Sequence, residues 1–478
     1  MNPHIRFSLA FLLAFHCCLL AQEQPVFPLA AAAVIQNVPA VVKPPPQPVF
    51  NPRTYGAKGD GATYDTAALQ KAIDACAGTR GSVVLSDGVF LSAQITLKPG
   101  MTFYLAKGAT LRGGLEPGDY PDLVPANDSA TPNRRSLLYA CGADGLVIDG
   151  EGVIDGRGKD VKIEGKEPTR PSLLRIFQSK DVTVRNITLR NPKMWTQVYT
   201  ECDRLLIDHV KVEAASGDYN LDGLDIFDSA DVQIRNCRID SEDDSICLKS
   251  RRARGLQRIV VENNQMLCRR ANAIKFGTAT RGPINDVRII NNVVTFARYA
   301  GLCIESVDGS ALSNVVVSGL EMKEVGQPIF VRLARRAESP QGVAAASLTG
   351  VTIQKVRALR THGVTGSVNT ITGVPGLRVS NVKLKDIYLE MPGGVNKVPG
   401  APLELEKEYP QSNLLGPTPA WAFYVRHADG IVLENVTVKA AKADARKWFV
   451  ADDANVKTLN CHDEQPNPAA PALKSVER

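Results

Sequence analysis

Short runs in which apolar and polar residues alternate recur through most of this chain. They read DVTVRNITL from Asp181, RLLIDHVKV from Arg204, DVQIRNCRI from Asp231, RIVVENNQM from Arg258, DVRIINNVV from Asp286 and NVVVSGLEM from Asn314. GVTIQKVRA from Gly350, GLRVSNVKL from Gly376 and GIVLENVTV from Gly430 continue the series. Between Asp181 and Asn314 the units begin 23, 27, 27, 28 and 28 residues apart. Alternation at period two is the pattern of a half-buried strand. Self-similarity at such a spacing is the pattern of a solenoid. Asn stands between the two strands of many units, where it tolerates left-handed backbone and can hydrogen-bond locally. The prediction is an all-β chain wound as a parallel β-helix, each coil stacked on the last, with Asn ladders at the turns. A leucine-rich solenoid is excluded, because no LxxLxLxxN register recurs.

Helical periodicity is confined to the start of the body, in NPRTYGAKGDGATYDTAALQKAIDACAG. Leu69, Ile73 and Cys76 share one face, and Asp65 or Thr66 is placed to cap the helix. Such a helix would close the N-terminal end of the solenoid, since terminal coils need covering.

The boundaries follow from composition. Arg6 and the apolar run FSLAFLLAFHCCLLA read as an export signal over residues 1–21, too short for a membrane span. Residues 22–48, with PPPQP, read as a Pro/Ala-rich linker. The β-helix is expected over 49–450, and 451–478 as a partly disordered tail. The mature protein is then secreted or periplasmic, with no membrane association, and monomeric. The 56 basic and 50 acidic residues leave a net charge of +6, and no Lys/Arg block with interleaved aromatics supports nucleic-acid binding. The eight cysteines beyond the signal include no CxxC pair, and no HExxH occurs. Zinc is therefore not expected, and the cysteines read as buried apolar residues with one or two disulfides at most.

One stretch breaks this even distribution of charge. YNLDGLDIFDSADVQIRNCRIDSEDDSICLKS, from Tyr219, carries Asp222, Asp225, Asp228, Asp231, Asp240, Glu242, Asp243 and Asp244. Residues about one coil apart become neighbours in a β-helix, and Asp243 and Asp244 follow Asp222 by 21 and 22 positions. These three carboxylates are expected to converge; the others read as strand-end and turn residues. Crowded carboxylates push one member to hold its proton. A protonated acid beside an ionised base is the equipment of glycosidic cleavage.

With these residues in view, the body from about Asn51 to Val450 resembles glycoside hydrolase family 28, the polygalacturonase family of pectin-degrading enzymes. Asn220-Leu221-Asp222 stands where the family has NTD, and Asp243-Asp244 where it has a DD pair. The resemblance implies a right-handed parallel β-helix and inverting hydrolysis of a pectic polysaccharide or oligosaccharide without metal or cofactor. Asp243 would be the general acid, with Asp222 and Asp244 activating water. Two motifs depart. The family's GHG falls at Ala271-Asn272-Ala273, and its RIK at Cys303-Ile304-Glu305. Asn272 can hydrogen-bond but not carry charge, and Glu305 would repel a uronate carboxylate. Lys275 is the best placed of the nearby cations to compensate, ahead of Arg251, Arg252, Arg254, Arg269 and Arg270. Trp195, one coil before the acids, is a candidate for stacking on sugar. Asn220, Asn272, Lys275, Trp195 and Glu305 are thus the expected substrate contacts. The rival functions are a polysaccharide lyase, which would need a base and usually Ca²⁺, and a non-catalytic carbohydrate-binding β-helix.

Overall fold

A computed structural model of the protein describes residues 38–122, 134–163, 169–339, 345–363 and 368–466. The expected export signal and residues 22–37 lie outside the described residues. The repeats form three parallel ladders. The first runs through Ser136–Cys141, Ser172–Phe177, Gln197–Thr200, Leu224–Phe227, Ile246–Lys249 and Ile274–Phe276, then the 302–306 part of a longer strand and Val325–Leu333. The second collects the first half of each sequence unit, and the third the second half. Val182, Leu205, Val232, Ile259, Val287 and Val315 stack one coil above another, each at most 1% exposed. One core therefore runs the length of the solenoid, built from the inward residue of every pleat.

The turn chemistry fits the repeat. Asn186, Asn236, Asn263, Asn291, Asn381 and Asn435 all adopt positive φ, between 52° and 64°. Left-handed backbone costs most residues roughly 1–2 kcal/mol, and Asn is an exception because its short amide bonds locally. His209 occupies the same turn position, with φ 54°, in place of an asparagine. A second asparagine row is buried. The Asn264 amide donates to the Ile234 carbonyl and to Asn292 Oδ1, both at 3.0 Å, and its Oδ1 accepts from the Cys237 N–H at 2.9 Å. Asn264→Leu is expected to lower stability by about 2 kcal/mol or more, read as a fall in Tm, because it orphans those buried backbone groups.

The helix Thr66–Cys76 buries Ala68, Leu69, Ala72, Ile73 and Cys76 against the first coils. Asp65 does not cap it. Its carboxylate instead accepts from the Lys58 and Gly59 N–H groups, at 2.6 and 2.9 Å, and so fixes the preceding loop. Two boundaries differ from expectation. Residues 38–48 are held against the solenoid: Ser82 Oγ donates to the Pro46 carbonyl at 2.8 Å, and the His209 ring bonds the Val38 carbonyl at 2.7 Å. At the other end, Lys447–Leu459 and His462–Glu464 continue the ladders beyond 450. Among the described residues no coil stacks above this last one, and most of its residues are exposed and its apolar alternation is weak. All eight cysteines among the described residues are free thiols, and six are buried.

Candidate active site

The three expected acids lie in the turns that lead from the third ladder into the first. Asp222 precedes Leu224–Phe227, Asp243 and Asp244 precede Ile246–Lys249, and Asn272 precedes Ile274–Phe276. Leu224, Ile246 and Ile274 stand in register in successive coils, so the turns before them stack. Gly223 makes the close approach possible. A Cβ there would come within 2.6 Å of the Ser245 carbonyl oxygen. One carboxylate oxygen from each of Asp222, Asp243 and Asp244 lies within 4.8 Å of the others.

Their environments separate them. Asp222 is 3% exposed, and its Oδ1 has no hydrogen-bond partner. Burial, then the charges of Asp225 and Asp243, push its carboxyl well above the usual range. Asp243 is the more open of the three. Its Oδ1 accepts from the Asp244 N–H at 2.9 Å, and its Oδ2 from the Asn220 N–H at 3.2 Å. Burial and the neighbouring Asp244 raise its pKa as well. Asp244 is the most firmly held. Its Oδ1 accepts from both the backbone and the side-chain amide of Asn272, at 3.0 and 2.8 Å, and Lys275 Nζ lies 3.2 Å from Oδ2. The site thus contains one anchored carboxylate, one open carboxyl inclined to keep its proton, and one buried carboxyl with an unused oxygen.

The remaining expected contacts take other roles. Asn220 has φ 57° and turns its backbone N–H to Asp243, while its side chain accepts from Arg170 Nη2 at 2.8 Å. Asn272 is fully buried, and its Oδ1 accepts from the Ala300 N–H at 3.0 Å. It positions Asp244 and does not face substrate. Trp195 is 6% exposed, and Lys249 Nζ sits 4.1 Å from its ring centroid, so that face is not free for a sugar. Glu305 is fully buried. The Cys303 thiol donates to its Oε1 at 2.8 Å, and burial raises its pKa to about 7, opposed by Lys275. Being fully buried, it makes no direct contact with a substrate carboxylate, so the expected repulsion at short range does not arise. Lys275 is 2% exposed and also donates to Tyr409 Oη at 3.1 Å.

One part of the site is not anticipated from the sequence, and the path of a second, the long loop after Met391, is left open by it. Asp225, expected as a turn acid, is fully buried on the outward row of the first ladder with Lys249 Nζ 2.6 Å away. The signal was present: LDIF, ICLK and IKF each place a charged residue in an otherwise apolar strand, in consecutive coils. The second part is a roof. Residues 394–419, between Val379–Gly393 and Ala420–Lys442, run back over the outer face of the first ladder. Arg332 Nη2 donates to the Glu404 carbonyl at 2.5 Å, Arg426 Nη1 to the Pro402 carbonyl at 2.7 Å, and Tyr409 reaches Lys275. From the coil of Phe423 to that of Lys275 is four ladder steps, roughly 19 Å at about 4.8 Å each. The first ladder is covered up to the edge of the acid cluster.

The three acid oxygens are also close enough for a cation. Lys275, 3.2 Å from Asp244, opposes one there and supplies positive charge by itself. Among the described residues, no helix is long and apolar enough to cross a membrane.

The description of glycosyl hydrolases family 28 matches residues 106–400, well over half the chain. The chain belongs to glycosyl hydrolase family 28. Residues 49–109 match a second description, rhamnogalacturonase A/epimerase, pectate lyase-like. The chain is similar to an exo-poly-alpha-D-galacturonosidase of Dickeya chrysanthemi, 26% identical over 60% of this chain and 57% of the relative. It is also similar to an endo-polygalacturonase of Pectobacterium carotovorum subsp. carotovorum, 26% identical over 57% of this chain and 73% of that one. It thus spans little more than half the length of the Dickeya relative. A solved family 28 exopolygalacturonase of Yersinia enterocolitica superimposes with a TM-score of 0.62 at 18% identity, covering 88% of this chain and 79% of that one. This is the right-handed parallel β-helix of the family.

Proposed function

We propose that this family 28 chain is an exported glycoside hydrolase that cleaves glycosidic bonds of a pectic polysaccharide by an inverting mechanism. The observation that carries the reading is the convergence of Asp222, Asp243 and Asp244 at the open edge of the roofed ladder, each in a different environment. Asp243, open and with a raised pKa, protonates the leaving oxygen. Asp244, held by Asn272 and Lys275, takes a proton from water that Asp222 helps to seat through its unused oxygen. The nearest oxygens lie closer than the roughly 6.5–9.5 Å of an ordinary inverting pair. Inversion therefore requires Asp222 and Asp244 together to hold the water on the face of the sugar opposite the bond that Asp243 protonates. The roof closes one end of the groove and favours attack at a chain end.

The test is incubation with homogalacturonan, rhamnogalacturonan and their oligosaccharides, with and without chelator. Proton NMR then follows the first-formed product. The expected result is saturated mono- or disaccharide of inverted anomeric configuration, unaffected by chelation. Unsaturated product lost on chelation would replace the hydrolase by a lyase. Retained configuration would replace the water by a covalent intermediate. Inertness across the panel would leave the binding-module reading.

A further inference from the structure

At the edge of the first ladder opposite the carboxylates lies a polar cavity of about 540 Å³. Arg251, Arg252, Arg281, Asp308 and Arg336 line it, with Ala279 and Ala337. These residues come from the turns that follow four consecutive first-ladder strands. Asp308 is held by Arg336, whose Nε donates to Oδ1 at 2.7 Å, and by the Ala279 N–H at 2.7 Å. Arg252 Nε lies 2.7 Å from Glu201. Asp228 fixes the floor by accepting from the Arg251 and Arg252 N–H groups, each at 2.9 Å. Even with Glu201 and Asp228 counted, guanidinium groups outnumber carboxylates around the cavity. Arg281 is exposed, and its guanidinium makes no ion pair among the described residues.

The cavity is joined to the acid cluster through one ring. Lys275 Nζ lies 5.2 Å from the Tyr409 centroid, and Arg336 Cζ lies 5.3 Å from the same centroid. Tyr409 is 46% exposed. A sugar chain crossing the first ladder from the carboxylates would pass along this ring and reach the arginines. The other basic residues near the motifs are engaged elsewhere: Arg254 pairs with Asp203, Arg269 with Asp240 and Arg270 with Glu242.

We propose that this arginine cavity binds a carboxylate of the saccharide chain, away from the scissile bond, and so makes the enzyme selective for an acidic substrate although Cys303 and Glu305 provide no cation. The proposal rests on the hydrolase reading for its substrate. A planar guanidinium presents paired donors that match a carboxylate, and several around one concavity favour an anion over a neutral ring. The cavity volume suits a single sugar unit, within the usual range of ligand pockets.

The test is calorimetric binding of trigalacturonate and of its methyl ester to Asp243→Asn protein, with and without Arg281→Gln. Thermal melts check the fold, and turnover is measured in the active background. Arg281→Gln is expected to weaken trigalacturonate binding about tenfold, leave binding of the ester unchanged, and raise KM for the acid with kcat nearly constant. Equal losses for acid and ester, no loss for either, or no binding of trigalacturonate to the Asp243→Asn protein would each overturn the proposal. Competition by inorganic sulfate equal to that by trigalacturonate would show a general anion hole, and would overturn it too. Absence of hydrolysis by the wild type, with selective binding intact, would instead sink the catalytic reading and leave the cavity standing.

Discussion

Asp243→Asn is expected to cut hydrolysis by about 10²- to 10⁴-fold, the range for removing a general acid, while leaving Tm nearly unchanged. Asn keeps the outline of the side chain and one acceptor for the Asp244 N–H, and it removes a like charge from beside Asp244. The pH profile carries the sharper information. Burial and Asp244 raise the pKa of Asp243, so the wild-type acid stays protonated above the ordinary carboxylate range. Activity should fall on the alkaline side as that proton is lost. The variant's residual activity should lack that alkaline limb. A variant that keeps wild-type turnover, or the same alkaline limb, would assign the acid to another residue.

The second large effect is on stability. Lys249→Met is expected to cost about 3–5 kcal/mol at neutral pH, as breaking a buried ion pair from one side does. Lys249 lies 2.6 Å from the fully buried Asp225, over the ring of Trp195, and it also lowers the pKa of Asp222. Burial already holds Asp225 at about 6, with Lys249 opposing the rise. The folded state therefore binds that proton more tightly than the unfolded chain, whose carboxyl titrates near 3.8. The group's contribution to stability accordingly falls as pH rises from about 4 to beyond 6. Without the ammonium, the folded pKa climbs further and the fall deepens. Denaturation should show a small loss near pH 4 and the full loss above neutrality. Asp225→Asn added to Lys249→Met should restore most of it, since no unpaired charge remains. A single variant as stable as wild type at pH 7.5 would remove the pair from this account.

Much of this was legible because a solenoid turns sequence spacing into spatial neighbourhood. The period of the units gave the ladders, and the offset between Asp222 and the Asp243-Asp244 pair gave the cluster. The misreadings share a cause. Asp225 was grouped with Asp228, Asp231 and Asp240 by residue type, yet Asp231 and Asp240 are met by exposed Arg258 and Arg269 while Asp225 has a buried lysine. Which acids lose their water depends on what covers the outer row of the first ladder, and alternation does not encode that. Trp195 and Glu305 were misplaced for the same reason: position in a repeat says which way a side chain points, not what lies over it.

The amino-acid sequence by itself determined the parallel β-helix, the two strands of each repeat unit and the meeting of three carboxylates, because each depends on local period and on contacts one coil away. Only the tertiary structure decided the electrostatics and the shape of the groove. The roof that brings Tyr409 to Lys275 joins residues 134 positions apart, and the arginine cavity gathers turns from four coils. Contacts of that range follow from the paths of irregular loops, whose backbone is fixed by the surface on which they land and not by any period in the chain.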